Sequence, residues 1–536
     1  MLFFLNSTFN EKNSGIEHAQ LKRAHLFRTH YEPFKMVFRE WNPRIHNYLK
    51  NNGVSDNETI AMFDYFQKAE CIEERIIHAE DIDLGVNGLT YTKEPEQHRY
   101  LVSKGEHLIA RIRYYGDDIA ERVSAIEYFD GFANLYRVDF YDFRGFQSLV
   151  QWYTPDNKIS TEVWYNTLGR PVLETFNRYN AKKEYQKVGW RLTEDDGAVY
   201  VFANIDDLTL HFYNRINEKY WNNNNPNIFI IDRTHVGDWI LRELERPAYV
   251  VLHLHNAHSG DAQNPMHAVM NNFYEYGLTN ANQYDAIVSA TDKQTKDVAA
   301  RFAPAAKLFT IPVGVIPDEV FEEPRVAMSE RKQHSVLVTA RVAHDKRIHN
   351  IIRSIGIARE EIPDITLDYY GYVDSSNDGM AQKAIDEAIE MYGLKDAVHH
   401  HEYANADLVA KVQREHQVYG LASMMEGFNL AMMEAYSHGM VGVTYDVNYG
   451  PNELTVDGEN GYITSFGDIQ AMADALIKLF SDNERLQSMS DHSYELSKRF
   501  SESSVWKAWE KLLNDARRKK IDYIEPISIG LGNQEI

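Results

Sequence analysis

The sequence predicts an α/β protein of two domains, each an open parallel sheet flanked by helices, with an antiparallel sheet inserted into the first. Three observations predict it. The chain has 536 residues, more than one hydrophobic core usually supports. Short, mainly apolar runs such as Ile228–Asp232, Ala248–Leu252 and Ser335–Ala340 recur between helical stretches, the pattern of buried parallel strands joined by crossover helices. From about His98 to Asn204 the hydrophobic period changes from helical to alternating.

Composition narrows the function classes. A hydrophobic content of 44% with 25% charged residues is that of a folded globular chain. The formal net charge of −23 would repel a polyanion, which argues against nucleic acid as a partner and weighs against a polyphosphate acceptor. Cys71 is the sole cysteine, so no internal disulfide forms and a reducing cytosol fits. Met1–Ser7 has no basic segment before its apolar residues, so no signal peptide is expected there. No apolar run approaches the ~18 residues of a spanning helix. Between Lys22 and Lys50, seven Lys or Arg face only Glu32 and Glu40. That segment reads as a solvated face, with peripheral contact to anionic lipid at the inner face of the membrane as the alternative.

The first domain is expected over residues 1–97 and 205–316. Leu2–Leu5 is a short strand, followed by a polar loop and a helix from Ile16 toward Phe27. Ser14 and Gly15 open that helix and make a phosphate or sugar site conceivable, because a helix N-terminus presents unpaired amides. The inserted meander, residues 98–204, shows alternating strands such as His107–Tyr115, Leu135–Phe143, Ser148–Tyr153 and Ser160–Tyr165. Helices are then expected at Thr234–Arg242 and Met266–Tyr276. His253, His255 and His258 follow the strand Ala248–Leu252. Beyond Asp261 no acid or cysteine stands near enough to complete a zinc set, so no metal is assigned. Asp81-Ile-Asp83 has an Asp-x-Asp metal spacing but lies far in sequence from the phosphate elements.

The second domain is expected over 317–500, with 501–536 as a terminal helix crossing back to the first. The strand Ser335–Ala340 leads into Arg341-Val-Ala-His-Asp-Lys346, two cations that can straddle a diphosphate. Val398–Tyr403 is a strand reaching Ala404; His399–His401 within it should alternate between faces and is read as structural. Gln417–Gly461 is a βαβ unit. Its centre places Glu426 at a strand's carboxyl end and Gly427, Phe428, Asn429 and Leu430 at a helix N-terminus, with Glu434 about one turn on. The chain's last helix, Ser503–Arg518, ends in the basic run Arg517–Lys520.

Two acids spaced by seven residues around a Gly-aromatic pair, Glu426-Gly427-Phe428 to Glu434, resemble the motif of family 4 retaining glycosyltransferases of the GT-B type, in which two Rossmann-like domains face a cleft. Ser14-Gly-Ile-Glu-His-Ala-Gln20 and Asn271-Asn-Phe-Tyr-Glu-Tyr276 resemble the bacterial enzymes that glycosylate serine-rich-repeat adhesins. Less closely, the chain resembles wall-teichoic-acid α-glycosyltransferases, which share the inserted sheet. Many relatives carry a second glycine where this chain has Asn429.

The resemblance implies a fold of GT-B class and a metal-independent reaction in which UDP-glucose or UDP-N-acetylglucosamine is the donor and no cofactor is needed. It gives Glu426 the donor sugar, Glu434 the ribose, Arg341 and Lys346 the diphosphate, and Tyr403 and Ala404 the uracil. Ser14 and Gly15 would line the cleft, and a histidine would contact the transferred sugar, His258 first and His255 second. Implied partners are a Ser/Thr-rich protein acceptor and either a second copy or an inactive sister subunit, joined through the meander. The alternatives are a polyol-phosphate acceptor, or a non-catalytic, chaperone-like subunit that binds sugar nucleotide without turnover.

Overall fold

The structure, a computed structural model, describes residues 1–374 and 379–519; Lys520, the last of the basic run at the end of the final helix, lies outside them. The described residues divide into two compact units: residues 1–13, 33–249 and 519, and residues 14–32, 250–374 and 379–518. The expected boundaries at 98, 205 and 317 do not coincide with this division.

In the first unit four strands pair in parallel in the order Ile228–Ile231, Leu2–Asn6, Phe34–Phe38 and Thr59–Ala61. Their side chains are almost wholly apolar and buried, as a sheet covered on both faces requires. The same unit carries a ten-stranded antiparallel meander from Thr90–Glu94 to Val199–Phe202, in which every strand pairs with its neighbours in sequence. It begins before the expected residue 98. The sequence reading also passed over the strands Val123–Phe129 and Pro171–Tyr179. The helix expected at Thr234–Arg242 is two 3₁₀ turns, Thr234–Val236 and Leu241–Glu243.

A buried ion network lies where the loop Asp142–Arg144 meets the helix Ile45–Asn51 and the helix Met62–Gln67. His46 bonds Asp56 at 2.6 Å and Asp64 at 2.9 Å, and Arg144 reaches Asp64 at 3.1 Å and Asp142 at 2.8 Å. Burial alone would push His46 down, but its two carboxylate partners reverse this and hold it up at about 9. A folded value above the unfolded one stabilises the protein fully below about pH 6.5, and the gain disappears as pH rises through 9. A rise from 6.5 to about 9 corresponds to about 3 kcal/mol. The melting temperature of the wild type is therefore expected to fall between pH 7 and 9.5, whereas His46→Gln, less stable at pH 7, should show a flat profile over that range in thermal denaturation.

The basic segment is largely paired internally. Lys22 bonds Glu434, Arg23 bonds His253, Arg39 pairs with Glu40 and Asp206, and Arg44 pairs with Asp117. Among the described residues no helix is long and apolar enough to cross a membrane.

The second unit contains a parallel run Tyr249–His253, Ala286–Ser289, Lys307–Thr310, its first residue lying at the unit boundary. It also contains a six-stranded parallel sheet in the order Val398–His401, Thr366–Tyr370, Ser335–Thr339, Val418–Leu421, Val441–Tyr445, Gly461–Thr464. The chain enters this sheet at Ser335–Thr339, builds outward to one side, and returns to place Val418–Leu421 on the other side of its first strand. The order therefore reverses between Ser335–Thr339 and Val418–Leu421. In open parallel sheets ligands bind outside the carboxyl ends at such a reversal.

The final helix, Glu502–Arg518, packs on elements near the start of the chain: Trp509 meets Phe27 edge-on at 5.4 Å and His253 at 5.8 Å. Met266–Tyr276 is not helical; a short helix, Glu275–Thr279, begins only at its end. Arg301 bonds the carbonyls of Pro265 and Ala268, and the Asn271 side chain bonds the Ala257 carbonyl, so the loop's backbone groups are satisfied without a helix.

Candidate functional site

The expected cations and Glu426 lie at the sheet reversal. Arg341 follows the strand Ser335–Thr339, Glu426 follows Val418–Leu421, and Tyr403 and Ala404 follow Val398–His401 at the same carboxyl edge. Glu426 is buried, and its Oε1 accepts from Lys346 Nζ at 2.8 Å. Burial works against the charge on Lys346, but Glu426 and Asp345 outweigh it and hold the ammonium above the ordinary lysine range. Asp345 stands between the two cations, 3.4 Å from Lys346 and 3.7 Å from Arg341. Arg341 also pairs with Asp374 at 2.6 Å. The amide of Met424 donates to the Asp345 carbonyl at 2.8 Å, which ties the cationic loop to the loop that carries Glu426.

Gly427 has a packing role that the sequence reading assigned to ligand approach. A Cβ at this position would lie 2.4 Å from the His255 carbonyl oxygen and 2.5 Å from Asn256 Cα. The turn after Glu426 thus lies directly on the backbone of the histidine loop. Asn429, where many relatives have glycine, has φ of +83°, the left-handed region that glycine and, next to it, asparagine occupy most readily. Its side chain also accepts from the Met432 amide at 2.9 Å and caps the helix Leu430–Ser437. The departure therefore preserves the backbone and adds a cap. Phe428 is buried against Phe500 and anchors the turn in the core, and Leu430 is half-buried at the helix start.

Burial separates the two histidines expected near the transferred sugar. His258 has no exposed surface; its Nε2 bonds the Pro265 carbonyl at 3.2 Å, and its Nδ1 lies 3.4 Å from the Tyr449 hydroxyl. Burial pushes it down to about 4, so it is neutral near pH 7. His255 is half-buried and its backbone touches the Gly427 turn. Tyr449, absent from the sequence reading, donates its hydroxyl to Asp297 at 3.0 Å and its amide to the Glu426 carbonyl at 2.7 Å. It links the His258 loop to the backbone of Glu426.

Ser14 caps the helix Gly15–Thr29 through a reciprocal pair with Glu17, its hydroxyl donating to Glu17 at 2.6 Å. Gly15 is exposed, with open space where a Cβ would stand. Glu434, half-exposed in its helix, is held by Lys22 at 2.8 Å. Tyr403 is exposed and Ala404 half-buried in the loop before the helix Ala406–Glu415. His400 bonds the Gly371 carbonyl and His401 bonds Asp368, fixed roles within the sheet.

Residues 320–496 match the family described as glycosyl transferases group 1. That segment is a glycosyl transferases group 1 domain. Along 96% of its length this glycosyltransferase is 26% identical to the UDP-N-acetylglucosamine–peptide N-acetylglucosaminyltransferase GtfA subunit of Streptococcus pneumoniae serotype 4, covering 99% of that protein. It is 23% identical to the poly(glycerol-phosphate) alpha-glucosyltransferase of Bacillus subtilis over 76% of its own length and 58% of the relative's. Among solved structures, the pneumococcal O-GlcNAc transferase GtfA in complex with UDP and GlcNAc superposes with a TM-score of 0.80 at 23% identity, covering 97% of this chain and 99% of that one. The glycosyltransferase has the GT-B fold, with the large antiparallel sheet as its addition.

Three residues around the site were visible in the sequence without being given a role in it. Asp345 stands between Arg341 and Lys346, and His18 and Lys22 follow Gly15 at helical spacing on one face. Tyr449 had no comparable signal, because its contacts with Asp297 and Glu426 join segments far apart in sequence.

Proposed function

We propose that this glycosyltransferase moves glucose or N-acetylglucosamine from a UDP-sugar to Ser or Thr hydroxyls of a serine-rich-repeat adhesin, with retention of configuration. The observation that carries this reading is the Lys346–Glu426 pair beside Arg341 at the reversal of the second sheet. Breaking the anomeric bond builds negative charge on the β-phosphate. Lys346 and Arg341 offset it, acting as fixed charges in a partly desolvated site. Glu426 accepts from hydroxyls of the donor sugar, Glu434 from those of the ribose, and His255 contacts the sugar from the neighbouring loop. The uracil lies along the backbone at Tyr403 and Ala404, and the amides of Phe428, Asn429 and Leu430 face the diphosphate. With two cations serving the leaving group, transfer should persist in a chelator.

Support for a protein acceptor comes from the near full-length likeness to the GtfA subunit and from the net charge of −23, which disfavours a polyanionic acceptor. That this relative is a subunit supports assembly with a partner chain, for which the meander is the proposed surface. The likeness to the poly(glycerol-phosphate) enzyme favours a second reading, polyol-phosphate glucosylation, which the shorter coverage of that relative weakens. Incubating the chain with radiolabelled UDP-glucose or UDP-N-acetylglucosamine against a serine-rich-repeat peptide and against poly(glycerol phosphate) separates the two. Label in the peptide supports the first reading, and label in the polymer alone overturns it.

A further inference from the structure

Lys22 lies on a helix that the donor residues discussed so far do not include, yet its ammonium donates to Glu434 Oε1 at 2.8 Å and sits 3.4 Å from the Val315 carbonyl oxygen. The helix Gly15–Thr29 is firmly seated around it. Ala19, three residues earlier, belongs to the same buried cluster as Met432 and Met433, which flank Glu434 in its own helix. Arg23, the next residue, is buried, bonds His253 Nδ1 at 3.0 Å and lies over the Trp509 ring at 5.4 Å. Lysine stems are flexible, but here the helix that carries Lys22 and the helix that carries Glu434 pack in one buried cluster, which holds the two side chains within reach of each other. His18, one turn earlier, is pushed down mainly by burial while Glu434 pulls it up, which places it near the same carboxylate.

A carboxylate has about four acceptor positions, so one ammonium leaves room for two more donors. We propose that Lys22 is a positioning residue for the donor nucleotide: holding one oxygen of Glu434, it turns the remaining acceptor positions toward the two ribose hydroxyls and so sets the preference for a ribonucleotide over a 2′-deoxyribonucleotide donor. The inference rests on the reading of Glu434 as the ribose-holding acid. Without Lys22 the carboxylate is free to rotate, and the 2′-hydroxyl meets an acceptor that is no longer aimed. A site built to bond a hydroxyl rejects the analogue lacking it only while its own polar group is fixed.

Calorimetric titration with UDP and with 2′-deoxy-UDP tests this on the full chain and its Lys22→Met, Lys22→Arg, Glu434→Gln and Lys22→Met/Glu434→Gln variants, with a thermal melt of each. The wild type should prefer UDP by about tenfold or more. In Lys22→Met, UDP affinity should drop about tenfold while 2′-deoxy-UDP binding stays within about twofold, collapsing the preference. Lys22→Arg, which keeps the charge and reach, should retain the preference, and the double variant should bind no more weakly than Glu434→Gln alone. An unchanged preference in Lys22→Met, or equal weakening of both nucleotides, would overturn the inference while leaving the donor reading intact. Failure of the wild type to bind UDP would overturn both.

Discussion

Replacing Lys346 with methionine is expected to lower sugar transfer about a thousandfold, the loss typical when one preorganised charge is removed from the developing leaving group. Methionine preserves much of the stem and removes only the ammonium. The same change strands Glu426, whose side chain is 11% exposed and whose partner at 2.8 Å is gone. Breaking a buried pair on one side costs about 3 kcal/mol or more in stability. Activity and stability therefore fall together in the single variant and must be separated. Adding Glu426→Gln removes the unpaired charge, so the double variant should regain much of the lost melting temperature while remaining inactive. Recovery of both would mean that Lys346 acts only by holding the fold.

The second large effect is expected at Gly427. An added Cβ would meet the His255 carbonyl at 2.4 Å and Asn256 at 2.5 Å and 2.8 Å, all of them backbone atoms. No rotamer change relieves such a clash, so the turn after Glu426 must move away from the histidine loop. Overpacking of this kind costs about 1–3 kcal/mol. A shift of about 1 Å in Glu426 is enough to lower turnover about a hundredfold. Gly427→Ala should therefore show both losses in melting and in transfer assays. Gly15→Ala is the matched control for folding, because nothing stands within 4 Å of its added methyl group.

Much of this was legible in the residues, for identifiable reasons. The helix Leu430–Ser437 and the strands on either side of it follow from mainly apolar runs punctuated by Gly427 and Gly439. Arg341, Lys346, Glu426 and Glu434 stand on the loops and the helix where spacing placed them. Legibility failed where long-range contacts override local preference. Met266–Tyr276 has helical composition but is pinned by Arg301 and Asn271 into a loop. The sequence ranks His258 ahead of His255, and only the packing of Tyr449 and Phe302 around His258 shows how much more deeply it is enclosed. The meander strands that were missed, among them Arg99–Lys104, Val123–Phe129 and Pro171–Tyr179, mix polar and apolar residues on a sheet whose faces are only partly covered.

The role given to Gly427 shifted for a related reason. Glycine beside an acid at a helix start suggests a ligand drawn close to the backbone, and here the group drawn close is another part of the chain. The site is consequently more rigid than a phosphate loop alone would be. Glu426 is fixed from three directions: by Lys346 through its carboxylate, by Tyr449 through its carbonyl, and by the His255–Asn256 backbone through the residue that follows it.

The central claim is that the Lys346–Glu426 pair serves the breaking of a UDP-sugar bond. UDP release, measured in EDTA with UDP-N-acetylglucosamine or UDP-glucose and a serine-rich-repeat peptide, tests it most directly. The wild type should release UDP in step with label entering the peptide, and Glu426→Gln, folded to the same extent, should release about a thousandfold less. Equal release by both proteins would contradict the claim.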